Sequence, residues 1–436
     1  MIITLFLSTA LLLGGDSSWD HASISAYAVN TKTGEVVMDE NSGKSLMPAS
    51  SIKAITTATA LQILGPETRF QTDLEYDGVI DKAGILHGNI YIRGGGDPCL
   101  GSDRIEGSLG WEKQIEAWVE AVQKLGVKKI EGAVIGDSSR WEKALAPPSW
   151  NWEDLGNYYG AGACALSFHE NSYTLKFKPG KEGEKTTILS LDPPIAGLSV
   201  ENEVTTGASG SGDNACIYGS EYSTVQHVRG TIPEGGEFSI RGAIPDPARL
   251  CSNLLSKALV EKGIFVETQK LESQKKIVFH TTYSPTVKEI VYWTNQKSIN
   301  LYAEHLLKKM GEVVFKEGST KAGIKAVGEF WKKKVDLEGF NMADGSGLSR
   351  KNLVTAKQFV AILSETKKTD VFPVFLKSLP EEADRVQAKS GGMSLVRSYV
   401  GYADDVVFAL LVNQCLDPKL SKKMKSFLPQ LHRPTY

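Results

Sequence analysis

The stretch ISAYAVNTKTGEVVMDE, which begins at Ile24, alternates apolar and polar positions on both sides of a Lys-Thr-Gly turn, and that period of two predicts a β-hairpin. The alternation stops at Pro48. From Ser50 to Leu64 small and apolar residues follow one another closely, which predicts a helix closed by Gly65-Pro66. Onward to about residue 280 the chain is mostly strand-like, as in GNIYIRGGGDP and SYTLKFKPG. It is broken by an amphipathic helix, GWEKQIEAWVEAVQKLG, and by a second near residues 247 to 263. VTTGASGSGDN, residues 204 to 214, reads as an exposed loop inside a β-rich block. Helical texture returns from 285 to 335 and near 355 to 367, and two strands, LVRSYVGYA and DVVFALLVN, precede a short basic surface helix. The pattern is that of an α/β body built from the two chain ends, with a β-rich insertion between them.

Composition narrows the classes. The 436 residues, 41% hydrophobic and 23% charged, describe an ordinary globular chain long enough for two or three domains. Lys plus Arg number 49 against 51 for Asp plus Glu, so no basic surplus argues for nucleic acid or anionic lipid. At most a weak membrane-surface association is expected. The first thirteen residues, MIITLFLSTALLL, are too few for a membrane span and are followed by small and polar residues, which predicts an export signal over residues 1 to 17. Five scattered cysteines without C-x-x-C spacing, and seven histidines without H-E-x-x-H, indicate no metal site and no cofactor. Glu304-His305 falls in a helical pattern, where a solvated or packed role is expected.

The candidate chemistry begins in PASSIKAITTATAL. Near the start of a helix, positions i and i+3 share a face, so Lys53 can meet the hydroxyl of Ser50, whereas Ser51, two places away, points elsewhere. A lysine kept neutral by burial or by a neighbouring cation can act as base for a serine nucleophile. Spacing alone is weak support, since Ser273–Lys276 and Ser364–Lys367 repeat it. Two further elements follow in order: Ser298-Ile299-Asn300 at a helix start and Lys389-Ser390-Gly391 on a predicted strand. Lys32-Thr33-Gly34 and Ser149-Trp150-Asn151 match the same patterns but lie in a hairpin turn and a Pro- and Trp-rich loop. The ordered set S-x-x-K, S-x-N, K-[ST]-G is the signature of penicillin-recognising serine acyltransferases.

Together with DGSGLSRKNLVTAKQFV, IRGGGDP, VIGDSSRW, PPSWNWEDLGNYYGAGACALSFHEN and AIPDPA, these motifs make the chain resemble the D-alanyl-D-alanine carboxypeptidase/endopeptidase family of DacB-like class C low-molecular-mass penicillin-binding proteins, peptidase family S13. The resemblance runs from about residue 22 to about residue 415. It implies a β-lactamase-like catalytic domain with a helical subdomain, at 18–70 and 280–436. It also implies an inserted domain II at 71–185 and 238–279, and a β-rich domain III at 186–237 nested within it. The implied reaction is cleavage of the D-Ala-D-Ala bond of peptidoglycan stem peptides, and of D-Ala-diaminopimelate cross-links, through an acyl-enzyme that β-lactams trap, in the periplasm or cell envelope. By the same resemblance Ser50 is nucleophile, Lys53 base and Ser298 proton relay. Asn300, Lys389 and Ser390 bind substrate, the Gly392 N–H joins the Ser50 N–H in the oxyanion hole, and Asp154 and Arg350 hold the zwitterionic end of diaminopimelate. A β-lactamase and a non-catalytic wall-binding scaffold are the alternatives. The lifetime of a penicilloyl-enzyme separates the first, and loss of D-alanine release in Ser50→Ala the second.

Overall fold

The computed structural model describes Trp19 and residues 21–432. The expected export signal lies outside these residues. The chain divides into two compact units, one formed by the residues up to Thr68 together with those from Val287 onward, the other by Arg69–Thr286.

The first unit carries a six-stranded antiparallel sheet. Its order is Glu381–Ala383, Val386–Met393, Val396–Ala403, Val406–Asn413, Ser23–Asn30, Val36–Glu40. The strand Val406–Asn413 is buried along its whole length and joins the N-terminal hairpin to the C-terminal strands, so its unbroken apolar run has two neighbours and no wet face. One side of the sheet packs Ile24, Met38, Phe408 and Leu410 with Met424 and Phe427 of the basic helix Leu420–Phe427.

The helix expected from Ser50 starts later. Residues Ala49–Ile52 form a 3-10 turn, and the α-helix runs Lys53–Leu64 to Gly65, whose φ of 84° ends it. Nine of its residues, Lys53 through Leu61, are buried, as expected of a helix apolar on every side. Its threonines keep their hydroxyls satisfied inside that core: Thr57 donates to Lys53 O at 2.6 Å and Thr59 to Ile55 O at 2.6 Å. Around it lie helices Val287–Gln296, Asn300–Phe315, Thr320–Trp331 and Ala356–Lys367, and Trp331 Nε1 donates to Thr59 Oγ1 at 2.7 Å. A further helix, Phe372–Ser378, was not legible in the pattern because it is seven residues long and opens with Pro373 at its first turn.

The second unit has its own core, centred on Trp118, Phe168, Tyr173 and Leu255. Two four-stranded sheets and two three-stranded sheets build it, with helices Trp111–Lys124 and Pro247–Glu261. Residues 208–213 are exposed beyond the strand Ser199–Gly207. None of the five cysteines is bridged.

Candidate active site

In a 3-10 turn residues i and i+3 eclipse one another. The turn Ala49–Ile52 therefore sets Ser50 directly before Lys53, and Lys53 Nζ lies 3.0 Å from Ser50 Oγ. Ser51 faces the other way: its hydroxyl is buried and donates to Pro48 O at 2.8 Å. Ala49 has a φ of 48° and Ser298 one of 55°. Backbone of this kind in non-glycine residues is costly and persists where surrounding structure enforces it, commonly at functional sites.

Lys53 is fully buried, and its amine meets two more partners, Asn300 Oδ1 at 2.6 Å and the Ser346 carbonyl at 2.6 Å. Both are acceptors. A neutral amine has two N–H groups and one lone pair, so two carbonyl-type acceptors consume the hydrogens and leave the lone pair for the third neighbour, the Ser50 hydroxyl. Burial, and after it the positive charge of Lys389, hold the Lys53 amine well below the usual lysine range, against the opposing pull of Asp344 and Glu304.

The Ser346 carbonyl belongs to the loop DGSGLSR, which is fastened by its own polar groups. Asp344 accepts from the N–H groups of Gly347 at 2.8 Å and Ser349 at 2.6 Å and from Asn352 Nδ2 at 2.7 Å. Thr56, one turn along from Lys53, donates to Gly345 O at 2.7 Å. Glu304, one helical turn after Asn300 and fully buried, accepts from Gly345 N at 3.0 Å and Ser346 N at 2.8 Å. His305 is buried too, so the pair Glu304-His305 is packed rather than solvated.

Lys389 and Ser390 lie on the strand Val386–Met393, opposite Val400 and Tyr399. Burial pushes the Lys389 amine down to about 8, with Glu382 opposing, and its Nζ lies 2.8 Å from Ser390 O. The strand passes close to the serine turn. A Cβ on Gly391 would collide with Pro48 O and lie 2.7 Å from Ser51 N, and one on Gly347 would collide with Ala49 O and lie 2.9 Å from Ser50 N. The backbone of residues 48–51 is thus flanked by two glycines, one from the strand and one from the loop. Gly392, next along, stands opposite Arg397.

Of the residues singled out in the sequence, Ser50, Lys53 and Asn300 meet directly, and Lys389 acts on Lys53 through its charge. Ser298 sits two residues before the helix Asn300–Phe315, half-buried. Arg350 is exposed at the end of the DGSGLSR loop in the first unit. Asp154 belongs to the second unit, on the short helix Trp152–Leu155, where it hydrogen-bonds the Tyr159 hydroxyl. Sequence reasoning gave Glu304 only a solvated or packed role and did not see the Ser346 carbonyl. DGSG announces a turn, but a main-chain acceptor has no residue signature, and a glutamate within a helix reads as surface.

The family model described as D-Ala-D-Ala carboxypeptidase 3 (S13) matches residues 15–433. The D-alanyl-D-alanine carboxypeptidase of Actinomadura sp. (strain R39) is 26% identical over 423 residues, covering 89% of this chain and 76% of the relative. The crystal structure of penicillin binding protein 4 (dacB) from Haemophilus influenzae superposes with a TM-score of 0.82 at 21% identity over 99% of both chains. A second structure of that protein, complexed with a β-lactam, gives 0.75 at 20% identity over 97% of both. These two place the fold among the penicillin-recognising peptidases.

Proposed function

Because the chain belongs to the D-Ala-D-Ala carboxypeptidase 3 (S13) family, we propose that it cuts the bond between two D-alanines at the end of peptidoglycan stem peptides, with Ser50 as nucleophile and Lys53 as its base. It is a serine-type carboxypeptidase, a hydrolase of the cell wall. The observation that carries the residue assignment is the amine of Lys53, buried, held by two acceptors and turned toward Ser50 Oγ.

The steps follow from that arrangement. Ser50 Oγ attacks the carbonyl carbon of the penultimate D-alanine and its proton passes to Lys53 Nζ. The carbonyl oxygen becomes an oxyanion facing the N–H groups of Ser50 and Gly392, a role supported by the close approach of the neighbouring Gly391 to the serine turn. The C–N bond breaks as the proton is passed, by way of Ser298, to the departing amine, and D-alanine leaves. Water then adds to the ester, gives a proton back through Lys53, and frees Ser50 and the shortened peptide. Lys389 and Ser390 hold the terminal carboxylate, and Asn300, besides holding Lys53, faces the substrate amide.

A β-lactam, whose strained amide stands where the D-Ala-D-Ala bond would, acylates the same serine. D-Ala-diaminopimelate cross-links present the same scissile bond with a different leaving amine. Export by way of residues 1–17 belongs to the same proposal, since the substrate lies outside the cytoplasmic membrane. Among the described residues no helix is long and apolar enough to cross a membrane.

The test is incubation with a muropeptide carrying both a pentapeptide end and a D-Ala-diaminopimelate cross-link, with mass spectrometry of the products. Loss of one D-alanine from the pentapeptide end is expected. If both bonds stay intact, the hydrolase reading is overturned.

A further inference from the structure

Nothing in the three motifs accounts for Glu304. It is completely buried on the helix Asn300–Phe315, one turn beyond Asn300, and it has no contact with Ser50 or with the amine of Lys53. Its Oε1 takes the N–H groups of both Gly345 and Ser346, at 3.0 and 2.8 Å, and its Oε2 shares the first at 3.2 Å. The carbonyl of that same Ser346 is what Lys53 Nζ meets at 2.6 Å. The helix therefore acts on Lys53 twice: directly through Asn300, and at one remove through Glu304 and a peptide unit.

We propose that Glu304 is a positioning residue for the reaction, holding the Gly345–Ser346 segment so that the Ser346 carbonyl takes one N–H of Lys53 and leaves the amine lone pair to Ser50. The inference rests on the reading of Lys53 as the base of Ser50. Without that carbonyl one N–H of the neutral amine is left unsatisfied in a buried site, and the amine can rotate to find another partner. The lone pair then leaves the hydroxyl, and with it the route for the serine proton. A displacement of about 1 Å in such an arrangement is worth about 10²-fold in rate.

The groups that face Glu304 are Asp344 from the loop, Lys308 from its own helix and Lys53 from the helix Lys53–Leu64. Burial first, and then Asp344, push its carboxyl up to about 7, while a hydrogen bond with the Ser346 side chain, the Gly345 N–H and Lys308 pull the other way. The residue thus stays near the border between acid and carboxylate, and either form keeps an acceptor oxygen for the two N–H groups. That makes the acceptor, more than the charge, the working part of the side chain, and it separates two variants. Glu304→Gln keeps an acceptor oxygen of the same reach; Glu304→Ala removes it. Thr56 continues to hold Gly345 O in both, so the loop retains one tether.

The experiment measures, by rapid mixing with a fluorescent penicillin, the non-covalent dissociation constant and the acylation rate constant separately, per folded molecule counted by circular dichroism. Glu304→Ala is expected to lose about 10²-fold in the acylation rate constant with the dissociation constant unchanged. Glu304→Gln is expected to fall less than about tenfold, the worth of one neutral hydrogen bond. A residue that served stability alone would lower the melting temperature of both variants and leave acylation per folded molecule at the wild-type value. That result, or an equal loss in Gln and Ala variants, overturns the proposal. Should the Ala variant not fold, the Gln variant decides by itself: a hundredfold loss there refutes the acceptor role, and near-normal acylation supports it. Wild-type protein that takes no penicillin at Ser50 would instead sink the underlying peptidase reading, so the two failures are told apart.

Discussion

At the scale of the residue, the distinction between two adjacent serines is a matter of where each hydroxyl points. Ser51 is spent on the Pro48 carbonyl, while Ser50 faces a buried amine. Penicillin should therefore label wild-type protein and Ser51→Ala at Ser50, and leave Ser50→Ala unlabelled; peptide mapping of the adduct checks this. The Ser51 variant should lose about 1 kcal/mol of stability with its hydrogen bond. In the proposed mechanism the two lysines set the pH dependence. Lys53 must be neutral to accept a proton, and its depressed pKa makes the rate rise as pH rises through that lowered value. Lys389 must be charged to hold a carboxylate, so turnover per unit of substrate should fall again as pH passes about 8. A bell-shaped profile of kcat/KM is expected, and replacing the substrate's terminal carboxylate by an amide should remove most of the alkaline fall. A profile still rising above pH 9 would contradict the role of Lys389.

At the scale of the element, the turn Ala49–Ile52 works only because two glycines let main chain approach it from the strand Val386–Met393 and from the loop after Asp344. Gly391→Ala places a methyl group against Pro48 O, and Gly347→Ala adds a left-handed φ of 86° to the same kind of collision. Each should cost more than about 1 kcal/mol and most of the acylation rate; unchanged melting and unchanged labelling would show that the turn yields. The spacing of Ser50 and Lys53 and the apolar helix behind them could be read from residue types, because helical periodicity and side-chain chemistry are written in them. The start of that helix could not, since a 3-10 turn and an α-turn differ in backbone angles that Ala49 and Ser50 do not announce. Nor could the loop's part: what reaches Lys53 is a carbonyl that any residue at 346 would supply, and its partner Glu304 is a buried carboxylate, which residue statistics disfavour.

At the scale of the molecule, the chain leaves the first unit at Thr68 and re-enters it at Val287, and these ends are already joined by a hydrogen bond from Val287 N to Thr68 O at 2.8 Å. Lys288 N adds a second, to Pro66 O at 3.0 Å. Replacing residues 69–286 by a short Gly/Ser linker should therefore leave a first unit that folds and reacts with penicillin; a shortened protein without cooperative unfolding would argue that the unit depends on the rest. The six-stranded sheet carries a different consequence. Its strand Val406–Asn413 lies between the N-terminal hairpin, which leads into Ser50, and the strands that carry Lys389. That strand follows both in the sequence. It supplies the hydrogen-bonded ladder between the two halves, so a protein shortened before Val406 keeps only the close approach of Gly391 and the Ser398 bond to Pro48 O to hold Lys389 beside the serine turn. The alignment of nucleophile and strand lysine thereby hangs on a segment that touches neither, and a lesion in Val406–Asn413 would be felt as a loss of chemistry.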